Sequence, residues 1–98
     1  MPITWKAPEV LEARPGYSRT VKEGEVTHGQ YRATETNQSE QLEYGVRPYS
    51  REIVEYRPRG AEQWVRVADS DTDPDPEAKA QVHAGRYAGP SHDRFGGK

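Results

Sequence analysis

Residues 49–69, YSREIVEYRPRGAEQWVRVAD, carry the strongest order written into the chain. Two runs rich in β-branched and aromatic residues flank a turn. The first holds Tyr49, Ile53, Val54 and Tyr56, and the second holds Trp64, Val65 and Val67. Such residues suit a pleated, half-buried surface. Between them Arg57-Pro58-Arg59-Gly60 combines a proline, which presets φ, with a glycine able to turn left-handed. A three-residue loop with a glycine bulge is therefore predicted. In that register Val54 lies opposite Trp64, Ile53 opposite Val65, Glu52 opposite Arg66 and Tyr56 opposite Glu62. Ile53 and Val65 would point to one face, and Val54, Tyr56 and Trp64 to the other. A hairpin apolar on both faces needs cover on both, from its own chain or a partner.

The rest of the composition leaves little material for such cover. Of 98 residues 32% are hydrophobic, and the mean hydropathy is -1.13. Six tyrosines and two tryptophans nonetheless separate this chain from a disordered tail. The predicted core is small, and small cores are commonly reinforced by disulfides, metal or association. With no cysteine, disulfides and thiolate metal sites are excluded, leaving association. Net charge is -2, so the surface as a whole does not attract polyanions. Ten arginines against four lysines suit planar, multi-donor contacts at interfaces, and equally a gene of high GC content. No apolar run approaches the ~18 residues of a membrane span, and MPITWKAPEV carries no signal-peptide pattern. A cytoplasmic or virion setting is expected.

Three sections follow along the chain. Residues 1–16, with prolines at 2, 8 and 15, read as an extended Pro-rich arm. Ile3 and Trp5 there suit a short edge strand, and Glu9 to Ala13 one short turn. Residues 17–69 read as an antiparallel β core, forming a small sandwich or barrel built on two hairpins. The earlier hairpin, residues 17–34, is expected to turn at Glu23-Gly24 with Val21 across from Val26, and Gly29 marks a bulge or close backbone approach. Residues 35–41, ETNQSEQ, read as a polar loop, and 42–47, LEYGVR, as a short strand ended by Pro48. Residues 70–98 hold an acidic connector, a helix of about two turns and a glycine-rich tail. Asp75 suits the helix cap, Pro76 its first turn and Gly85 its stop.

No catalytic constellation emerges. Asp69, Asp71, Asp73 and Asp75 share the spacing of a calcium loop, but Pro74 and Ala80 stand where the loop needs glycine and glutamate. The run reads as a solvated loop, or as carboxylates offered to a basic groove. His28, His83 and His92 lie far apart in sequence, with no close pair of the kind found in zinc motifs, and read as ordinary surface histidines rather than as ligands assembled in space. Ser91-His92-Asp93 are adjacent, which does not give a triad's geometry. No phosphate loop or nucleophile elbow is present. The expectation is a non-enzyme with no cofactor and no metal.

The candidate contact residues are Trp5, Tyr49, Tyr56, Arg57, Arg59, Trp64, Tyr87 and Phe95. The expected function is that of a structural protein docking with other protein subunits in a homo- or hetero-oligomeric assembly, with no membrane partner and nucleic acid disfavoured. A phage virion accessory, either capsid cement or a head–tail connector, has these traits. The alternative is a small binding module. It would be either an inhibitor showing its acidic stretch to a nucleic-acid machine, or a single-strand binder stacking bases on the Arg/aromatic hairpin.

Overall fold

The computed structural model describes residues 2–86. The strands are β1 (Thr4–Trp5), β2 (Glu9–Arg14), β3 (Tyr17–Val26), β4 (Gly29–Leu42), β5 (Gly45–Pro58) and β6 (Val65–Asp69), followed by one helix, α1 (Pro76–Arg86). All strand pairs are antiparallel, in the order β1-β3-β4-β5-β6, with β2 beside β1 along the same edge of β3. The sheet is mostly β as expected, but it does not close, so neither a barrel nor a second sheet is present among the described residues. The single helix supplies the second layer.

The core is built where the helix lies. Tyr31 pairs with Tyr56 and Ala33 with Val54 across β4 and β5, and all four are buried. Ala68 of β6 sits opposite Val54, and Ala80 and Ala84 of α1 close over them. Asp75 caps the helix by accepting from Ala78 N at 3.1 Å, as the sequence predicts. Gly85 does not stop it: the helix runs on to Arg86, making 11 residues rather than two turns. Its anchorage is not Val82, which is 51% exposed, but the small residues that let its backbone approach the sheet.

The central hairpin exists, in a different register. Tyr56 faces Val65, Glu55 faces Arg66, and after a bulge Val54 faces Ala68. The turn at Arg59-Gly60 forms, with Gly60 left-handed at φ +85 and Ala61 N donating to Pro58 O. The chain then stays unpaired as far as Trp64. The helix dictates this slip. A tryptophan opposite Val54 would hold α1 off the sheet, whereas Ala68 admits it.

The earlier hairpin turns at Thr27-His28, not at Glu23-Gly24, and Val26 faces Gly29. Gly24 lies mid-strand because nothing larger fits there. A Cβ would stand 2.4 Å from Ile3 Cγ2 and 2.9 Å from Trp5 Cε3. Gly29 makes the close approach expected of it, with a Cβ position only 2.5 Å from Arg57 O and 2.7 Å from Tyr56 Cε1. The arm is extended but joined to the sheet. β1 pairs with Glu25 and Gly24, and residues 9–13, expected to form a short turn, belong to β2, which pairs along β3 as far as Tyr17. Pro15-Gly16 is the resulting hairpin turn.

The polar run ETNQSEQ is strand, not loop. β4 continues through it to Leu42, turns at Glu43-Tyr44 and returns as β5, with Pro48 opposite Ser39. Fourteen residues at ~3.3 Å each give strands of about 46 Å, whereas an 11-residue helix spans about 16 Å. The molecule is accordingly long, 55 × 24 × 22 Å, and its helix covers one end.

Gly24→Ala is expected to cost about 1–3 kcal/mol through overpacking against Ile3 and Trp5. Urea unfolding followed by tryptophan fluorescence checks this; an unchanged midpoint would contradict the packing described.

Candidate interaction surface

The sheet divides along its length. From Gly29 to Ala33 and from Val54 to Tyr56 alternate residues are buried under α1, whereas between 34 and 53 no residue is buried. From Ser39 to Ser50 every residue but Leu42 is exposed. Tyr44 at the tip is 90% exposed and Val46 58% exposed. This distal ribbon is nevertheless ordered by its own contacts. Arg47 Nη2 donates to Glu40 Oε1 at 2.5 Å, Ser50 Oγ to Asn37 Oδ1 at 2.6 Å, and Ser39 N to Gly16 O at 2.9 Å.

Two of the residues singled out by sequence are spent inside the molecule. Trp5 is half-buried against the core, with Lys22 Nζ 4.7 Å from its ring centre. Tyr56 is 3% exposed, and its hydroxyl donates to His28 O at 3.1 Å. Trp64 lies on the face away from the helix, with the guanidinium groups of Arg32 and Arg57 4.2 and 5.0 Å from its ring centre. Arg59 clamps the β3–β4 turn, its Nη2 donating to Thr27 O at 3.0 Å. Tyr49 is partly exposed on the ribbon and donates to Asp71 Oδ1 at 3.1 Å. Tyr87 and Phe95 fall outside the described residues. The six described residues are thus not gathered into one patch. The surface that is gathered, Tyr44 and Val46 at the ribbon tip, lacks any sequence mark beyond isolated apolar residues in a polar run.

The acidic connector is structural in its contacts. Asp69 accepts from Arg51 at both oxygens, 3.1 and 2.6 Å, and from Asp71 N at 3.0 Å, which together hold its carboxyl down at about 2. Asp73 accepts from Asp69 N at 2.9 Å and from Lys79 at 3.0 Å, and Asp75 is the helix cap. Asp71 joins Arg51 at 3.2 Å. Among the described residues no group of three or more His, Asp and Glu is placed to hold a metal, and no helix is long and apolar enough to cross a membrane.

Two titrating clusters tie α1 to the sheet. The first is aromatic. His83 stands edge-on to Tyr31 with ring centres 5.8 Å apart, lies 5.1 Å from Tyr56, and meets the Tyr31 hydroxyl through Nδ1 at 2.7 Å. Burial, then the charge of His28, lowers its pKa, so it sits neutral beside the tyrosines. The second cluster is acidic. Glu52 of β5 meets Glu77 in the first turn of α1, with Glu35 directly across from Glu52 and Lys22 Nζ 3.0 Å from Glu77 Oε1. Burial and the neighbouring carboxylate push Glu52 up to about 7, while the proton shared with Glu52 and the Lys22 ammonium hold Glu77 down.

No protein-family model matches the chain, and neither the curated proteins nor the solved structures contain a match to it.

The two clusters act in opposite directions with pH. The raised Glu52 stabilises the fold below its ordinary value of 4.5 and loses that contribution as pH rises to about 7. The lowered His83 contributes above its ordinary 6.5 and loses that contribution on acidification. Glu52→Gln keeps a hydrogen-bonding partner for Glu77 without the second charge. It is expected to stabilise the protein at pH 8 by about 1 kcal/mol, allowing for solvent screening, and to change little near pH 4. Thermal unfolding across pH checks this; equal melting temperatures at pH 8 would contradict it.

Proposed function

We propose that this chain is a non-enzymatic interaction protein that docks into a larger assembly through the distal β4–β5 ribbon. The observation that carries the reading is the absence of any buried residue between positions 34 and 53, although that segment forms the far half of both long strands. A two-stranded ribbon is marginal in water when nothing covers it. Displayed at the end of a packed base, with Tyr44 and Val46 outward, it suits insertion between or against other subunits. A virion accessory, as cement or connector, is one assembly that uses such a projection.

The alternatives draw less support from the contacts. An inhibitor would need the connector's carboxylates to be available, yet Asp69, Asp71, Asp73 and Asp75 are all engaged with neighbouring groups. A single-strand binder would need stacking faces, yet Tyr56 is buried and arginines lie over Trp64.

The test is a photo-crosslinking residue placed at position 44, in the cells that make the protein. A discrete covalent adduct with another polypeptide is expected, weakened by Val46→Ser, with none from the same probe at exposed Glu62 on the opposite end. No adduct from position 44, or equal adducts from both positions, would overturn the reading. Tyr44→Ser should leave unfolding free energy within about 0.5 kcal/mol of the parent, as for other surface changes.

A further inference from the structure

The sheet has two unpaired edges among the described residues, β2 on one side and β6 on the other. They carry complementary surfaces. Beside β6 a groove of about 240 Å³ runs between the strand and α1, lined by Val67, Lys79, Val82, His83 and Arg86. Val67 and Val82 make it apolar, Lys79 and Arg86 put two cations at its rim, and among the described residues no carboxylate lines it. On the far edge the pairing of β2 with β3 is irregular between Val10 and Glu12. The bulge leaves Val10 and Leu11 side by side and outward, 62% and 49% exposed. Glu9 and Glu12 flank them. One edge is thus an apolar knob rimmed by carboxylates, and the other an apolar groove rimmed by cations.

We propose that the Val10–Leu11 knob of one copy of this chain seats in the Val67–Val82 groove of a second copy, with Glu9 and Glu12 meeting Lys79 and Arg86. The inference rests on the interaction-protein reading above and names one partner for it, this chain itself. Charge complementarity selects that occupant, because both halves of the match are carried on every copy. The halves lie on opposite edges of one sheet, so a single chain cannot bring them together. Among the described residues neither Glu9 nor Arg86 makes an ion pair. Glu12 pairs with Arg14, and both side chains are well exposed, so that pair contributes little and exchanges readily; Lys79 keeps its bond to Asp73 and has further N–H donors to offer a second carboxylate. Because knob and groove are different surfaces, the contact is head-to-tail and propagates into a ring or a chain rather than stopping at a symmetric dimer.

The test uses Val10→Asp, which spoils the knob, and Val82→Asp, which spoils the groove. Both positions are more than half exposed, so neither change disturbs the core, and thermal unfolding verifies this for each. Sedimentation velocity of the parent from micromolar to millimolar concentration is expected to show growth beyond dimer. Each variant alone should remain monomeric. An equimolar mixture should give dimers and nothing larger, since the intact knob of one variant meets the intact groove of the other and the remaining ends are blocked. A parent that stays monomeric, a single variant that associates like the parent, or a mixture that stays monomeric would overturn the proposal. The ribbon reading is judged separately by the crosslink at position 44, so either result can stand without the other.

Discussion

Everything in this molecule depends on the tilted ring pair of Tyr31 and Tyr56. Their rings lie 4.8 Å apart on adjacent strands, and both are almost fully buried. The pair sets the register of the long hairpin, gives α1 an aromatic floor, and receives His83 edge-on from above. Aromatic pairs of this geometry contribute about 0.5–1.5 kcal/mol beyond their buried area. In a chain with so little apolar material, that cluster with its ring of small residues is most of the core. Ala33, Ala68, Ala80 and Ala84 fill little volume, but they bring backbones close enough for Tyr31 and Val54 to be fully enclosed.

The same economy explains the shape. A core this small closes under one helix, and among the described residues no apolar layer covers the remaining length of β4 and β5. Those strands persist because their backbone groups pair with one another, and for part of the way with β3. Stability and exposure are thus segregated: the packed base holds the molecule together, and the ribbon projects from it. The face away from the helix is held by charged side chains rather than by a core. Arg32 bridges Glu55 at 2.8 Å, and Arg51 joins Asp69. The first pair is partly exposed and organises the surface more than it stabilises the fold, whereas the second holds the charge of a buried carboxylate.

Much of the base was legible in the sequence, and little of the ribbon. The β-branched and aromatic residues of 53–56 mark a strand, and Asp75-Pro76 marks a helix start; both stand where expected. The hairpin register was not legible, because Trp64 looks like a core residue until the helix is present to demand alanine at position 68. Gly24 reads as a turn because its real constraint, the approach of Ile3 and Trp5, comes from a segment some 20 residues away. ETNQSEQ gives no strand signal because neither of its faces is buried, and periodicity reports burial rather than hydrogen bonding. The Tyr31–His83 and Glu52–Glu77 contacts join residues far apart in the chain, and nothing local announces them. The environments of the candidate contact residues were not legible for the same reason. Aromatic and arginine residues attract attention, but here Trp5 and Tyr56 serve the core, whereas the ribbon tip draws its exposure from an absence of packing.

The central claim is that one end of this sheet is packed and the other is not. Amide hydrogen exchange along β4 and β5 of the isolated chain, in dilute solution, tests it most directly. The account predicts slow exchange for the paired amides among residues 30–34 and 53–57, and exchange faster by orders of magnitude for those among 39–48. Uniform protection along both strands at a concentration where the chain is monomeric would contradict it.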